Sequence, residues 1–109
     1  MPDRSVDGRL SVDELFDLLG HPRRRDALRH LVGTEGPVTV EDLARALAGE
    51  GAESHRLVAA ALRHKHLPKL DERGVVDYRG GEGRLRYESD PRLEEWLQQA
   101  TAFEEGNSG

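Results

Sequence analysis

The sequence predicts an α+β fold, mostly helical, in one domain. Three observations lead there. Apolar residues recur at helical spacing in five separate stretches. Two short stretches between residues 75 and 88 instead alternate polar and apolar around a glycine-rich tip, the pattern of a β-hairpin. The length, 109 residues, suffices for one small core and not for two.

Ser11 and Glu14 form a capping box, in which each side chain satisfies a backbone N–H of the other, and Leu15, Phe16, Leu18 and Leu19 follow up to Gly20. Pro22 suits the first turn of a second helix, whose apolar face is Ala27, Leu28, Leu31 and Val32 and whose stop is Gly33. Gly36-Pro37-Val38 is a turn into a very short extended piece. Thr39 caps a third helix, with Val40, Leu43, Ala44 and Leu47 facing inward and Gly49 and Gly51 ending it. The fourth helix is the longest, from Glu53 or Ser54 to Arg73. Pro68 lies inside it and predicts a kink near His64–Leu67, because proline lacks the helical donor and crowds the carbonyl four residues back. Gly74 ends it. Val75–Arg79 and Arg84–Glu88 read as strands around Gly80–Gly83. Ser89 or Asp90, with Pro91, opens a last helix striped by Leu93, Trp96, Leu97, Ala100 and Phe103. Helices followed by a hairpin in this order give the layout of a winged helix-turn-helix with a two-stranded wing and an extra C-terminal helix. The expected domain spans 11–105, between a flexible leader at 1–10 and a disordered tail at 106–109.

Composition excludes several classes. Aromatics are 5% of the chain, so the core must be aliphatic. Cysteine is absent, which removes disulfides, thiolate metal sites and a cysteine nucleophile. No apolar run approaches the roughly 18 residues of a membrane span. The N-terminus lacks the apolar stretch of a signal peptide, so a cytoplasmic protein is expected.

The charge is uneven. Sixteen arginine and lysine residues face 21 acidic ones, for a net charge of −5. Only Lys65 and Lys69 are lysines. This arginine-rich, acidic composition fits a salty cytoplasm or a GC-rich genome alike. Residues 53–88 nevertheless hold eight cations (Arg56, Arg63, Lys65, Lys69, Arg73, Arg79, Arg84, Arg86) against six acids. An anionic partner would dock there.

The run from His66 to Val76 resembles the end of the recognition helix in ArsR-like winged-helix repressors: His66-Leu67, Leu70 three residues on, then Gly74 and two aliphatics. "Leu-Leu-Gly-His-Pro-Arg-Arg-Arg" at 18–25 resembles the opening helices of that group. The chain is more similar still to short, uncharacterised winged-helix proteins abundant in halophilic archaea, through the Val12–Leu19 opening, the His66–Leu70 run and Val75-Val76-Asp77-Tyr78. The similarity covers roughly 11–100. It implies a winged-helix fold and a DNA-binding role without implying a target. The thiolate ligands of the metal-sensing repressors are missing.

On this reading the long helix enters a major groove. Leu57, Val58, Ala61 and Leu62 would face the core. Ser54, His55, Arg56, Ala59, Ala60, Arg63 and His64 would face DNA, the two alanines permitting close approach and Arg56 and Arg63 pairing with guanine. Lys65 and Lys69 would contact phosphate, and Arg79, Arg84 and Arg86 on the wing would reach backbone or minor groove. The alternatives are a solvated helix face and ordinary cross-strand pairing with Asp77, Glu82 or Glu88. Arg23-Arg24-Arg25 opposes the dipole at a helix start and needs Asp17, Asp26 or a phosphate beside it. His66 is expected to lie inward, hydrogen-bonded near the turn.

No cofactor is expected. His64 and His66, two residues apart on a helix, do not share a face as a metal pair would. Gly80–Gly83 leads to a strand rather than a helix, which excludes a phosphate loop. No serine–histidine–acid set sits in a strand–turn–helix context, so no enzyme is expected. The last helix, with Leu15, Leu19, Leu93, Trp96, Leu97, Ala100 and Phe103, predicts a homodimer interface. The other reading folds that helix onto its own domain. Two functions therefore stand: a sequence-specific regulator binding double-stranded DNA as a homodimer, and a protein-interaction module on the same fold.

Overall fold

A computed structural model describes residues 10–49 and 51–108. The expected leader falls outside these residues except for Leu10, which is a core residue. Its carbonyl accepts from Arg92 Nη1 at 2.6 Å, so the packed domain begins one residue earlier than expected.

The helices are α1 (Val12–Leu19), α2 (Pro22–Val32), α3 (Val40–Ala48), α4 (Ala52–Ala61), α5 (Leu67–Glu72) and α6 (Pro91–Ser108). The strands are β1 (Val38–Thr39), β2 (Val76–Arg79) and β3 (Arg84–Tyr87). The fold is thus α+β and mostly helical. The Ser11–Glu14 capping box forms as expected, with both reciprocal bonds present. Thr39 Oγ1 accepts from Asp42 N at 3.0 Å and caps α3. Asp90 caps α6 by accepting from the amides of Arg92 and Leu93.

Two expectations change. The sheet has three strands, in the order β1-β3-β2, all antiparallel. Val38 and Thr39 pair with Leu85 and Arg84, and Val40 N donates to Gly83 O at 2.9 Å. The short extended piece before α3 therefore becomes an outer strand of the hairpin, because its backbone groups need partners and β3 has a free side. At the other end, α6 runs to Ser108, into the stretch 106–109 expected as a tail. Once nucleated, a helix gains a hydrogen bond with each added residue, so polar composition alone does not end it.

The long helix is interrupted where Pro68 predicts. Leu62–His66 form a π-helical turn between α4 and α5, and Leu67 N donates to Leu62 O, five residues back. The wider turn accommodates the proline, which cannot donate to the His64 carbonyl. Helix α5 then ends in a Schellman motif. Val75 N donates to Leu70 O at 2.9 Å and Gly74 N to Asp71 O at 3.0 Å, with Leu70 and Val75 both buried. Asp71 also accepts from Tyr78 N, which ties the helix end to β2.

The core is aliphatic. Leu15, Leu18, Leu28, Leu31, Leu43, Leu62, Leu67, Leu70, Leu85 and Leu93 are its largest fully buried apolar side chains. Helix α2 lies centrally, packed on α1, α3, α6 and β3. Helix α3 packs on α4, and α6 covers α1 and α2.

Gly74 has φ +78°, and a Cβ there would meet no atom within 4 Å. Gly74→Ala therefore carries a backbone cost alone, and should lower stability by about 1–2 kcal/mol in urea unfolding. A change below about 0.5 kcal/mol would show that α5 does not depend on this left-handed residue.

Candidate functional site

The exposed side of the α4–α5 rod follows from which residues the core takes. Val58, Ala59 and Leu62 are buried, and after the π turn His66, Leu67 and Leu70 continue the buried side. This corrects two expectations. Ala59, expected on the DNA face, is 3% exposed and packs inside; Leu57, expected inside, is 66% exposed. The run Leu57–Leu62 is apolar throughout, so periodicity leaves its phase open and the packing of α3 against α4 sets it. Arg56, Leu57, Ala60 and His64 then lie on one exposed stripe, since they are three, four, seven or eight residues apart or adjacent. Ser54 is also exposed.

The expected cations divide into two groups. Arg63 is ion-paired to Glu41 on α3. Lys69 Nζ lies 2.7 Å from Asp17 Oδ2. Arg79 makes a two-pronged contact with Asp77, at 3.0 and 3.2 Å. His55 Nε2 donates to the Gly49 carbonyl at 2.8 Å, closing the turn before α4. By contrast, the side chains of Arg56, His64, Lys65, Arg84 and Arg86 are exposed and make no hydrogen bond or ion pair among the described residues, although Arg86 faces Asp77 across the hairpin and helps hold its carboxyl below the usual range. Arg84 and Arg86 alternate with buried Leu85, so they share the outward face of β3, opposite Arg79 and Asp77 respectively.

Two of the three arginines at the start of α2, Arg24 and Arg25, are tied into the fold. Arg24 is buried; its Nε donates to Leu18 O at 2.9 Å and its Nη2 to Asp17 O at 2.8 Å. Arg25 donates to Leu19 O and pairs with Glu104 of α6 at 2.7 Å. The expected partners Asp17 and Asp26 are used differently. Arg24 takes the backbone of Asp17, while the Asp17 carboxylate serves Lys69 and, at 3.7 Å, Arg73. Asp26 pairs with Arg29 at 3.0 Å. Arg73 also pairs with Glu14 at 2.8 Å. The Lys69 hydrogen bond holds the Asp17 carboxyl below its usual range.

His66 lies inward as expected, 2% exposed. Arg24 Nη1 is 3.4 Å from its Nδ1 and must donate, so Nδ1 carries no proton. The His21 ring stands 4.5 Å away, edge-on at 63°, and His21 Nδ1 accepts from Arg23 N to cap α2. Burial first, then the neighbouring His21, Arg24, Lys65 and Arg23, push the His66 pKa down to about 4. Burial lowers that of His21 as well.

The expected dimer residues also divide. Leu15, Leu19, Leu93 and Leu97 are buried in this chain's own core, because α6 packs on α1 and α2. They are not available to a second subunit as surface. Trp96 and Ala100 are half-buried, and Phe103 is 72% exposed. Phe16, which periodicity placed among the apolar residues of α1 but not in an interface, is exposed beside them. Its ring meets Trp96 edge-on with centroids 5.1 Å apart. These side chains line an open groove of about 640 Å³ together with Gly20 and Gln99. The signal for Phe16 was present in the spacing: Leu15, Leu18 and Leu19 define the inner face and leave residue 16 off it.

Among the described residues no group of three or more histidine, cysteine or acidic side chains gathers to hold a metal ion, and no helix is long and apolar enough to cross a membrane. Residues 16–86 match a family described as Domain of unknown function (DUF7344). No curated protein and no solved structure matches the chain.

The buried histidine makes stability depend on pH. The unfolded chain protonates His66 near pH 6.5 and the folded chain near 4, so the unfolded state binds more protons in between. Stability should fall as pH drops from 6.5 to 4, by on the order of 3 kcal/mol, and level off for this group below that. Chemical unfolding across this range should show the slope, and His66→Gln should remove most of it. The same slope in both proteins would mean that other groups cause it.

Proposed function

The chain belongs to the family described as Domain of unknown function (DUF7344), and from its geometry we propose a winged helix-turn-helix regulator that binds double-stranded DNA as a homodimer. One observation carries the reading. In a chain with more acids than cations, the exposed arginine and lysine side chains that make no hydrogen bond or ion pair among the described residues are Arg56, Lys65, Arg84 and Arg86, with Arg86 facing Asp77 across the hairpin and half-buried Arg23 of α2 outside this group. All four lie on the interrupted helix or on β3. These are the two elements that a winged helix turns toward nucleic acid, the helix to the major groove and the hairpin to backbone or minor groove.

Element order supports the same fold. Helices α2, α3 and α4 pack in sequence, a glycine turn follows α5, and β2 and β3 form a hairpin that β1 joins. This is also the layout of the ArsR-like and haloarchaeal winged-helix proteins that the sequence resembles. Arg56 is assigned to a base contact and Lys65, Arg84 and Arg86 to phosphate. Arg63, Lys69 and Arg79 would first have to leave Glu41, Asp17 and Asp77.

The homodimer rests on the groove between α1 and α6. Both phenylalanines and the one tryptophan of the chain line it, while the largest fully buried apolar side chains are leucines. Phe103 lines this hollow beside Gly20 and Ala100. A two-fold axis would set each Phe103 against the other subunit's hollow. A second reading, a protein-interaction module, draws on the same groove and on the three cations already paired within the chain.

Selection from a random duplex pool, at a salt level matching the cell interior, tests the reading. It should enrich a motif of two half-sites. No enrichment by folded protein would favour the interaction module. Arg84→Ala and Arg86→Ala should each weaken binding alike on all sequences and reduce the salt slope by about 0.9, while Arg56→Ala should cost ~1–3 kcal/mol on the selected motif alone. A sequence-dependent loss for the β3 variants would reassign them as base readers. Phe103→Ala should weaken the dimer by about 2 kcal/mol or more in sedimentation equilibrium. Unchanged association would remove α6 from the interface.

A further inference from the structure

One wall of the groove between α1 and α6 is not held by the core. Leu93 and Leu97 bury the first half of α6. Beyond them no side chain up to Glu104 is buried: Gln98, Gln99, Ala102 and Phe103 are exposed, and Ala100, Thr101 and Glu104 are half-buried. Yet Gln99, Ala100, Ala102 and Phe103 line the groove. A helix end with so little apolar burial opens easily unless polar contacts fix it.

Two arginines of α2 supply those contacts. They share the Glu104 carboxylate: Oε2 accepts from Arg25 Nε at 2.7 Å, and Oε1 accepts from Arg29 Nη2. Arg29 Nε donates to Thr101 Oγ1 at 2.7 Å, and the Thr101 hydroxyl donates to Leu97 O at 3.0 Å. Arg25 is anchored in turn on the carbonyl of Leu19, a residue that lines the groove from the α1 side. An isolated surface ion pair contributes little. Here one carboxylate uses both oxygens on two arginines whose side chains are 20% and 29% exposed, so solvent and salt screen the contact less.

We infer that Glu104 is a positioning residue of the subunit interface. By bridging Arg25 and Arg29 it holds the 99–103 wall in place and presents Phe103 to the second copy of the chain. This rests on the homodimer reading and names the contact that keeps its groove formed. Without the bridge the wall frays, and a second subunit must first re-order it.

Glu104→Gln keeps the size of the side chain and removes its charge. Sedimentation equilibrium of the full chain should show the dimer weakened about tenfold, the factor that one lost charge-assisted hydrogen bond corresponds to. The sign discriminates. Taking a negative charge from a chain of net charge −5 lessens repulsion between copies and by itself would tighten the dimer. Asp42→Asn, which removes an equal charge from the exposed side of α3, should leave association unchanged or tighter. Hydrogen exchange, at a dilution where the parent protein is monomeric, should show the Thr101–Glu104 amides of Glu104→Gln opening about tenfold more often, with the α3 amides unchanged. Thr101→Val, which takes an acceptor from Arg29 and keeps the shape, should move both readouts in the same direction. Unchanged exchange would show that the wall stands without Glu104 and overturn the inference. Faster exchange with unaltered or tighter association would overturn it as well, because wall and interface would then be independent. A parent protein that stays monomeric at every concentration would overturn the homodimer reading, and the interface role of Glu104 with it.

Discussion

The buried guanidinium of Arg24 joins three parts of the fold that are otherwise held by apolar packing. It sits at the start of α2, where positive charge is unfavourable to the helix dipole. It points instead at the end of α1, where its Nε and Nη2 donate to the carbonyls of Leu18 and Asp17, the latter also accepting from the Gly20 amide at 3.4 Å. Its third nitrogen reaches His66 in the π turn. A charge that would be costly to bury alone thus lies on the negative end of one helix and donates to a neutral imidazole. Arg25 repeats the device on the Leu19 carbonyl and carries it to α6 through Glu104. Together the two arginines tie α2 to the end of α1, to the π turn and to α6.

The same contact places the exposed stripe. Burial above all, then His21 and the nearby cations, keeps His66 neutral, and in that form its Nδ1 accepts from Arg24. Its position fixes the inner side of the π turn, and Pro68 forbids an ordinary helical turn through the same residues. Upstream of the turn, Val58, Ala59 and Leu62 face the core, and downstream Leu67 and Leu70 do. Arg56, Leu57, Ala60 and His64 are left outside as a consequence. The surface offered to a partner is therefore set by an interaction on the opposite side of the helix.

Much of the local structure was legible because its causes are local. The Ser11–Glu14 box, the Thr39 cap, the break at Pro68 and the stop at Gly74 each depend on residues within five positions of one another. The third strand was not legible, since a two-residue segment carries no period and its pairing with β3 spans more than forty residues. The phase of α4 was hidden in an unbroken apolar run. Which cations are free was hidden for a related reason. Arg63 and Glu41 are 22 residues apart, and Lys69 and Asp17 lie further apart still, so no spacing rule connects them. Leu15, Leu19, Leu93 and Leu97 show the limit from the other direction. A stripe that suits an interface suits the inner side of a covering helix equally well.

Charge links the two halves of the proposed function. Intramolecular pairing removes Arg63, Lys69 and Arg79 from the surface available to an anion, and the chain as a whole is acidic. If Lys65, Arg84 and Arg86 each meet a phosphate, one subunit releases counterions equivalent to a salt slope of only about −2.7. That is a weak hold on DNA, and it falls further in concentrated salt. Two subunits on one duplex double the slope, and they convert the second encounter into an intramolecular one. On the proposed reading, an acidic DNA-binding domain with few free cations would need a partner subunit more than a basic one would. The aromatic groove of α1 and α6 supplies a means of association that does not rely on charge and does not weaken as salt rises. On this argument the placement of Phe16, Trp96 and Phe103 at the surface, in a chain whose interior is built from leucine, belongs to the same physical problem as the free arginines on β3.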